Sequence, residues 1–85
     1  MVTMYHVYII QSLKDRGYYV GLSSDVEKRL VYHNAGRVRS TKARTPFTLV
    51  YSEDFATRVL AREREKYLKS YKGSQEKQNI IEHVS

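Results

Sequence analysis

An α+β fold, a small three-stranded antiparallel sheet with three flanking helices in the order β-β-α-β-α-α, is what three features of the sequence predict. Two β-branched and aromatic runs stand close together near the start, and a third follows a long polar stretch. The remaining segments carry apolar residues at helical spacing. With 85 residues there is room for one compact domain over residues 1–85, so every element has to share one core.

Tyr5 to Gln11 (YHVYIIQ) is the more apolar of the first two runs and is expected at the centre of the sheet; Tyr18 to Leu22 (YYVGL) is its partner. The polar stretch between them, Ser12 to Gly17, predicts an antiparallel hairpin with a loop longer than two residues. Ser24 followed by Glu27 reads as a capping box, and Val26, Leu30 and His33 continue a helix that Gly36 stops. Residues 37 to 46 (RVRSTKARTP) show no period and predict an exposed basic loop. Phe47 to Phe55 then reads as an edge strand, with Leu49 and Tyr51 alternating against Thr48, Val50 and Ser52. Thr57 caps an expected long helix to Tyr71, with Leu60, Ala61, Leu68 and Tyr71 as its apolar stripe and Gly73 as its stop. Ser74 caps the last helix, which carries Ile80, Ile81 and Val84.

Cysteine is absent, which removes disulfides, thiolate metal sites and cysteine nucleophiles. There is no long apolar run and no signal-peptide pattern, so the expected location is cytoplasmic, away from membranes. Fifteen Lys and Arg against nine Asp and Glu give a formal charge of +6. No acid stands between Glu27 and Glu53, while Lys28, Arg29, Arg37, Arg39, Lys42 and Arg44 all do. Such a field suits polyanionic phosphate, and nucleic acid is the leading partner. Charge alone, however, also fits a domain that is basic for solubility.

His6-Val7-Tyr8, then Tyr19-Val20-Gly21, then DVEKRLVYHNAG from Asp25 to Gly36, then STKARTPFTLVYSEDF, and finally Ala61, Glu65 and Lys69 at four-residue spacing form an ordered set covering nearly the whole chain. This set resembles the GIY-YIG nuclease superfamily, and most of all its short stand-alone members. The sequence departs from the name-giving motif at His6, Val7 and Val20, positions that build strand and turn. The resemblance implies a GIY-YIG endonuclease-like fold and a metal-dependent endonuclease that hydrolyses phosphodiester bonds in DNA. Its expected direction is by structure or damage rather than by base sequence; DNA and RNA are not separated.

Phosphodiester hydrolysis needs an activated water, neutralisation of charge at phosphorus and stabilisation of the leaving oxygen. The resemblance carries these roles onto Tyr8, Tyr19, Arg29, His33 and Glu65. Glu65 is the implied ligand of Mg²⁺ or Mn²⁺, a role for which one carboxylate can suffice. Spacing alone leaves Glu63 open beside it. Arg29 can grip phosphate oxygens through its planar fork. Four residues on, His33 shares its helix side. Among Tyr8, Tyr19 and His33 the general base stays open. Lys28, Arg37, Arg39, Lys42 and Arg44 are candidates for phosphate contact.

Outside the resemblance, strand tyrosines are usually amphipathic sheet residues, and a helical run such as Arg62 to Lys66 is usually a solvated, ion-paired face. The alternative function is a non-catalytic nucleic-acid-binding module that keeps the fold.

Overall fold

The computed structural model describes residues 3–84. Its elements are β1 (Tyr5–Ser12), β2 (Tyr18–Ser23), α1 (Val26–Asn34), a 3₁₀ turn (Lys42–Arg44), β3 (Phe47–Phe55), α2 (Arg58–Lys69) and α3 (Ser74–Val84). The three strands form one antiparallel sheet in the order β2-β1-β3. The expected α+β architecture, with β1 central and β3 at an edge, is therefore the observed one.

β1 is covered on both faces. Val7 and Ile9 join Val20, Ala61, Leu68 and Ile81 beneath α2 and α3. Tyr8 and Ile10 point the other way and pack with Phe47, Tyr19, Val26 and Leu30 beneath α1. Each of these four β1 residues is at most 1% exposed, which is why the run is apolar throughout rather than alternating. Burying each such side chain contributes about 1.5–3 kcal/mol before the entropy of ordering it.

The β3 edge departs from the simple alternation. Ile9 pairs with Tyr51 and Ile10 with Leu49, so Val50 is an extra residue at a bulge. Phe47 is buried on one side of the irregularity, and Tyr51, Glu53 and Phe55 turn inward on the other, leaving Leu49 exposed.

Several expectations for the helices and the basic loop need correction. The cap of α1 is Asp25, whose carboxylate accepts from Lys28 N at 3.1 Å; Ser24 and Glu27 make no capping box. An aspartate one residue closer to the first turn competes for the same free N–H groups. α2 is capped by Thr57 as expected but ends at Lys69. Its buried stripe is Ala61, Glu65 and Leu68, while Leu60 and Tyr71 are exposed. The stretch 37–46 is not wholly an exposed loop: Val38 and Thr41 are buried, and the 3₁₀ turn follows them. Gly36 does stop α1, at φ +74°.

Arg64 ties β3, α2 and α3 together. Its guanidinium donates to Glu53 at 2.7 and 3.0 Å and to Glu76 at 2.7 Å, and Glu53 also accepts from Tyr51 at 2.8 Å. The Arg64 hydrogen bonds hold the Glu53 carboxyl below its ordinary range, against the opposing effect of burial. This contribution to stability is complete above the ordinary carboxylate pKa and is lost as pH falls through the lowered folded value. Arg64→Met should cost about 3 kcal/mol in urea unfolding at pH 7, because it leaves the half-buried Glu53 carboxylate without its counter-charge, and the double variant Arg64→Met, Glu53→Gln should regain part of it. Equal stability of single variant and wild type would show the network to be inert.

Candidate active site

Tyr8 leaves β1 on the α1 face and meets His33, from the last turn of α1, with Oη 2.9 Å from Nε2. Both side chains are fully buried. The approach depends on Gly21, the register partner of Tyr8 on β2: a Cβ there would collide with the Tyr8 hydroxyl and ring. A glycine is needed here because a ring crosses it, not because of its backbone angles.

The far side of His33 is also engaged, with Nδ1 2.8 Å from Thr41 Oγ1. Tyr19 and Phe47 close the ring in, with centroids 5.2 and 5.9 Å away. Asn34 is exposed yet ties α1 to β3. It donates to Phe47 O at 3.1 Å and accepts from Phe47 N at 2.7 Å, which fixes the helix end beside Tyr8.

Burial dominates the electrostatics. It pushes the Tyr8 phenol up to about 12, opposed by hydrogen bonding from Arg29 and reinforced by the negative charge of Glu65. The same burial, aided by the Arg29 charge, brings His33 down to about 4. Both groups are neutral at pH 7, so the phenolic proton stays on Tyr8 in the free protein.

Glu65 rises from the buried stripe of α2. Its carboxylate meets Lys69 Nζ at 3.0 Å and, more distantly, Arg62 at 3.8 Å. Lys69 Nζ in turn sits 5.3 Å from the centre of the Tyr19 ring. Arg29 reaches a surface cleft of about 440 Å³ that it shares with Ser23, Ser24, Asp25, Lys28 and Tyr32. Tyr8, Tyr19, Arg29, His33 and Glu65, which come from four different elements, thus converge on one place.

With that convergence in view, the comparisons decide the family. The profile for the GIY-YIG catalytic domain matches residues 4–79. The chain belongs to the GIY-YIG family. It is 42% identical to a UPF0213 protein of Haloquadratum walsbyi over 92% of this chain and 88% of that one. A UPF0213 protein of Staphylococcus haemolyticus is 39% identical over 92% and 94% of the two chains. The solution structure of the UPF0213 protein BH0048 from Bacillus halodurans superposes with a TM-score of 0.58 at 28% identity, covering 96% of this chain and 87% of that one. The nuclease-type fold of the GIY-YIG family is therefore the fold of this protein.

Of the basic candidates, Lys28, Arg37, Arg39 and Lys42 are exposed. Arg44 is otherwise occupied: its guanidinium pairs with Asp15 at 2.8 Å, holding that carboxyl at about 2, and its carbonyl accepts from Ser12 Oγ. It braces the hairpin loop against the 3₁₀ turn. Thr41 and Lys69 were not singled out for function from the sequence. Lys69 had a signal, its place in the Ala61-Glu65-Lys69 spacing; Thr41 had none beyond being uncharged in a basic stretch.

Among the described residues no group of three or more His, Cys, Asp or Glu could hold a metal. The donor set nevertheless fits Mg²⁺ or Mn²⁺ of the kind held by one carboxylate, waters and substrate phosphate. Glu65 is a hard oxygen donor already facing a cation, the Lys69 ammonium.

Because the folded pKa of His33 lies below its ordinary value, its contribution to stability is complete above about 6.5 and is lost as pH falls towards 4, on the order of 3 kcal/mol in all. Its ring NMR signals should accordingly show no inflection between pH 5.5 and 8. A midpoint near 6.5 would mean that the ring is solvated and the Tyr8 contact absent.

Proposed function

We propose that this protein is a metal-dependent endonuclease that hydrolyses phosphodiester bonds in DNA, directed by the structure or damage of the duplex rather than by base sequence. The observation that carries the reading is the buried Tyr8–His33 hydrogen bond with Arg29 and Glu65 acting on it electrostatically. A strand tyrosine with a merely structural role has no need of a buried imidazole, a guanidinium and a carboxylate together.

Phosphate enters along the cleft by Lys28 and Arg29, and the Arg29 fork takes its non-bridging oxygens. That anion offsets the positive charge that helps to hold the His33 pKa down. A water placed against Tyr8 Oη then passes its proton to Tyr8 while Tyr8 passes its own to His33 Nε2, leaving hydroxide to attack phosphorus. Tyr19, beside His33, orients the water or the phosphate. A bound Mg²⁺ or Mn²⁺ on Glu65 would supply Lewis-acid stabilisation of the phosphoryl charge. Lys28, Arg37, Arg39 and Lys42 position the backbone of the nucleic acid without reading bases.

The alternative, a nucleic-acid-binding module without chemistry, draws on the Glu65–Lys69 ion pair, which already satisfies the carboxylate. Incubating the protein with labelled linear, nicked, flapped and branched DNAs and the corresponding RNAs, with Mg²⁺, Mn²⁺ or chelator, separates the two readings. Cleavage that chelator stops supports the nuclease; tight binding with no product supports the module.

Glu65→Ala should abolish metal-stimulated cleavage with DNA binding nearly unchanged, and persistent cutting in that variant would move the metal elsewhere. Arg29→Lys keeps the charge and loses the fork, so single-turnover cleavage should fall by roughly thirty- to thousand-fold, or about 2–4 kcal/mol. A rate within a fewfold of wild type at unchanged melting temperature would take Arg29 out of the transition state. Removing Arg37 and Arg39 together should weaken binding to all sequences alike and flatten the salt dependence by roughly one to two in logarithmic slope. An unaltered slope would place the backbone on another face.

A further inference from the structure

The geometry points to Thr41 as a positioning residue that fixes the tautomer of His33 and so aims the Tyr8 proton, by closing a one-way chain of hydrogen bonds from Tyr8 to the Val38 carbonyl. The mechanistic weight of this inference rests on the nuclease reading above; the chain itself does not.

Thr41 is fully buried between Arg39 and Lys42, both of which are exposed. Its hydroxyl lies 2.8 Å from His33 Nδ1 and 3.4 Å from Val38 O. The Val38 carbonyl is itself held, accepting from Thr41 N at 3.0 Å and Lys42 N at 2.9 Å. A neutral imidazole has one N–H and one lone pair, so the partners on its two sides decide where the proton sits.

Two arrangements are conceivable. If Nε2 carried the proton, it would donate to Tyr8 Oη. The Tyr8 proton would then be left without its acceptor inside a residue that is 1% exposed. If Nδ1 carries it, every proton is placed: Tyr8 donates to His33 Nε2, His33 Nδ1–H to Thr41 Oγ1, and Thr41 to the Val38 carbonyl. An unplaced buried donor is costly, so the second arrangement holds.

When the Tyr8 proton moves to Nε2 during hydrolysis, both ring nitrogens carry protons, and Thr41 Oγ1 is already in place to accept from Nδ1–H. No group has to turn. Thr41 stands between Arg39 and Lys42, so the backbone segment that meets nucleic acid also carries the residue that sets the proton path.

The test is ¹⁵N NMR of the His33 ring at pH 7 in the wild type, Thr41→Ser and Thr41→Val. The wild type and Thr41→Ser should show a protonated Nδ1 and an unprotonated Nε2. Thr41→Val, which keeps the shape and removes the acceptor, should move the ring to the Nε2–H form or to a mixture. An Nε2–H wild-type ring overturns the proposal outright, whether or not any variant folds, and so does an unchanged Nδ1–H tautomer in folded Thr41→Val. On a substrate that the wild type cleaves, Thr41→Val should lower the single-turnover rate at least tenfold with binding unchanged, and Thr41→Ser should restore it. An equal rate in Thr41→Val would overturn the positioning role. Should the wild type cleave nothing, the nuclease reading fails while the ring measurement still decides whether Thr41 sets the tautomer.

Discussion

The site depends on one phenol crossing one glycine. Tyr8 is the residue of the central strand that faces α1, and its hydroxyl meets His33 only because Gly21, its register partner on β2, has no side chain in the way. Strand register therefore has chemical consequences. Slipping β1 against β2 by one residue would send Tyr8 to the α2 face and bring Val7 or Ile9 under α1. The two-sided burial of β1 and the Asn34 amide bonds to Phe47 both act against such slippage, from the sheet and from the helix respectively.

Burial places the groups and also makes them unreactive. Tyr8 and His33 lie too far apart in acidity, about 12 against about 4, for the proton to move in the free protein. Arg29 acts on both in the same electrostatic sense, easing loss of the phenolic proton and opposing its arrival on the imidazole. An anion on Arg29 relieves the second effect. At Glu65 the counter-charge comes from Lys69, 3.0 Å away.

Much of the fold was legible because its signals are local. β-branched runs, the Thr57 cap and the Gly36 stop each act within a few residues, and the strand order follows from which run is most apolar. What was misread involved competition or tertiary contact. Asp25 out-competes Ser24 for the same N–H groups, and the α2 stripe includes Glu65, which no hydrophobic pattern would count as buried. The candidate residues Tyr8, Tyr19, Arg29, His33 and Glu65 were named from their order along the chain, and their meeting is a property of the fold. Arg44 shows the opposite limit, since nothing in its neighbours announces the Asp15 carboxylate twenty-nine positions earlier.

Thr41 marks where sequence reading stops for a physical reason. Its role is set by the one polar atom it presents to a ring from another element, and a threonine among arginines and lysines looks like loop filler until that ring is in place. The surrounding bases explain why a buried hydroxyl suits this position better than a charge would. A lysine at 41 would bring a second cation beside a His33 that Arg29 already keeps neutral, and an aspartate would raise the His33 pKa and hold it charged, removing the lone pair that Tyr8 needs. A valine would fill the space and leave Nδ1 without an acceptor. A hydroxyl accepts from the ring, donates to the Val38 carbonyl and carries no charge, so it sets the tautomer without adding charge beside the ring.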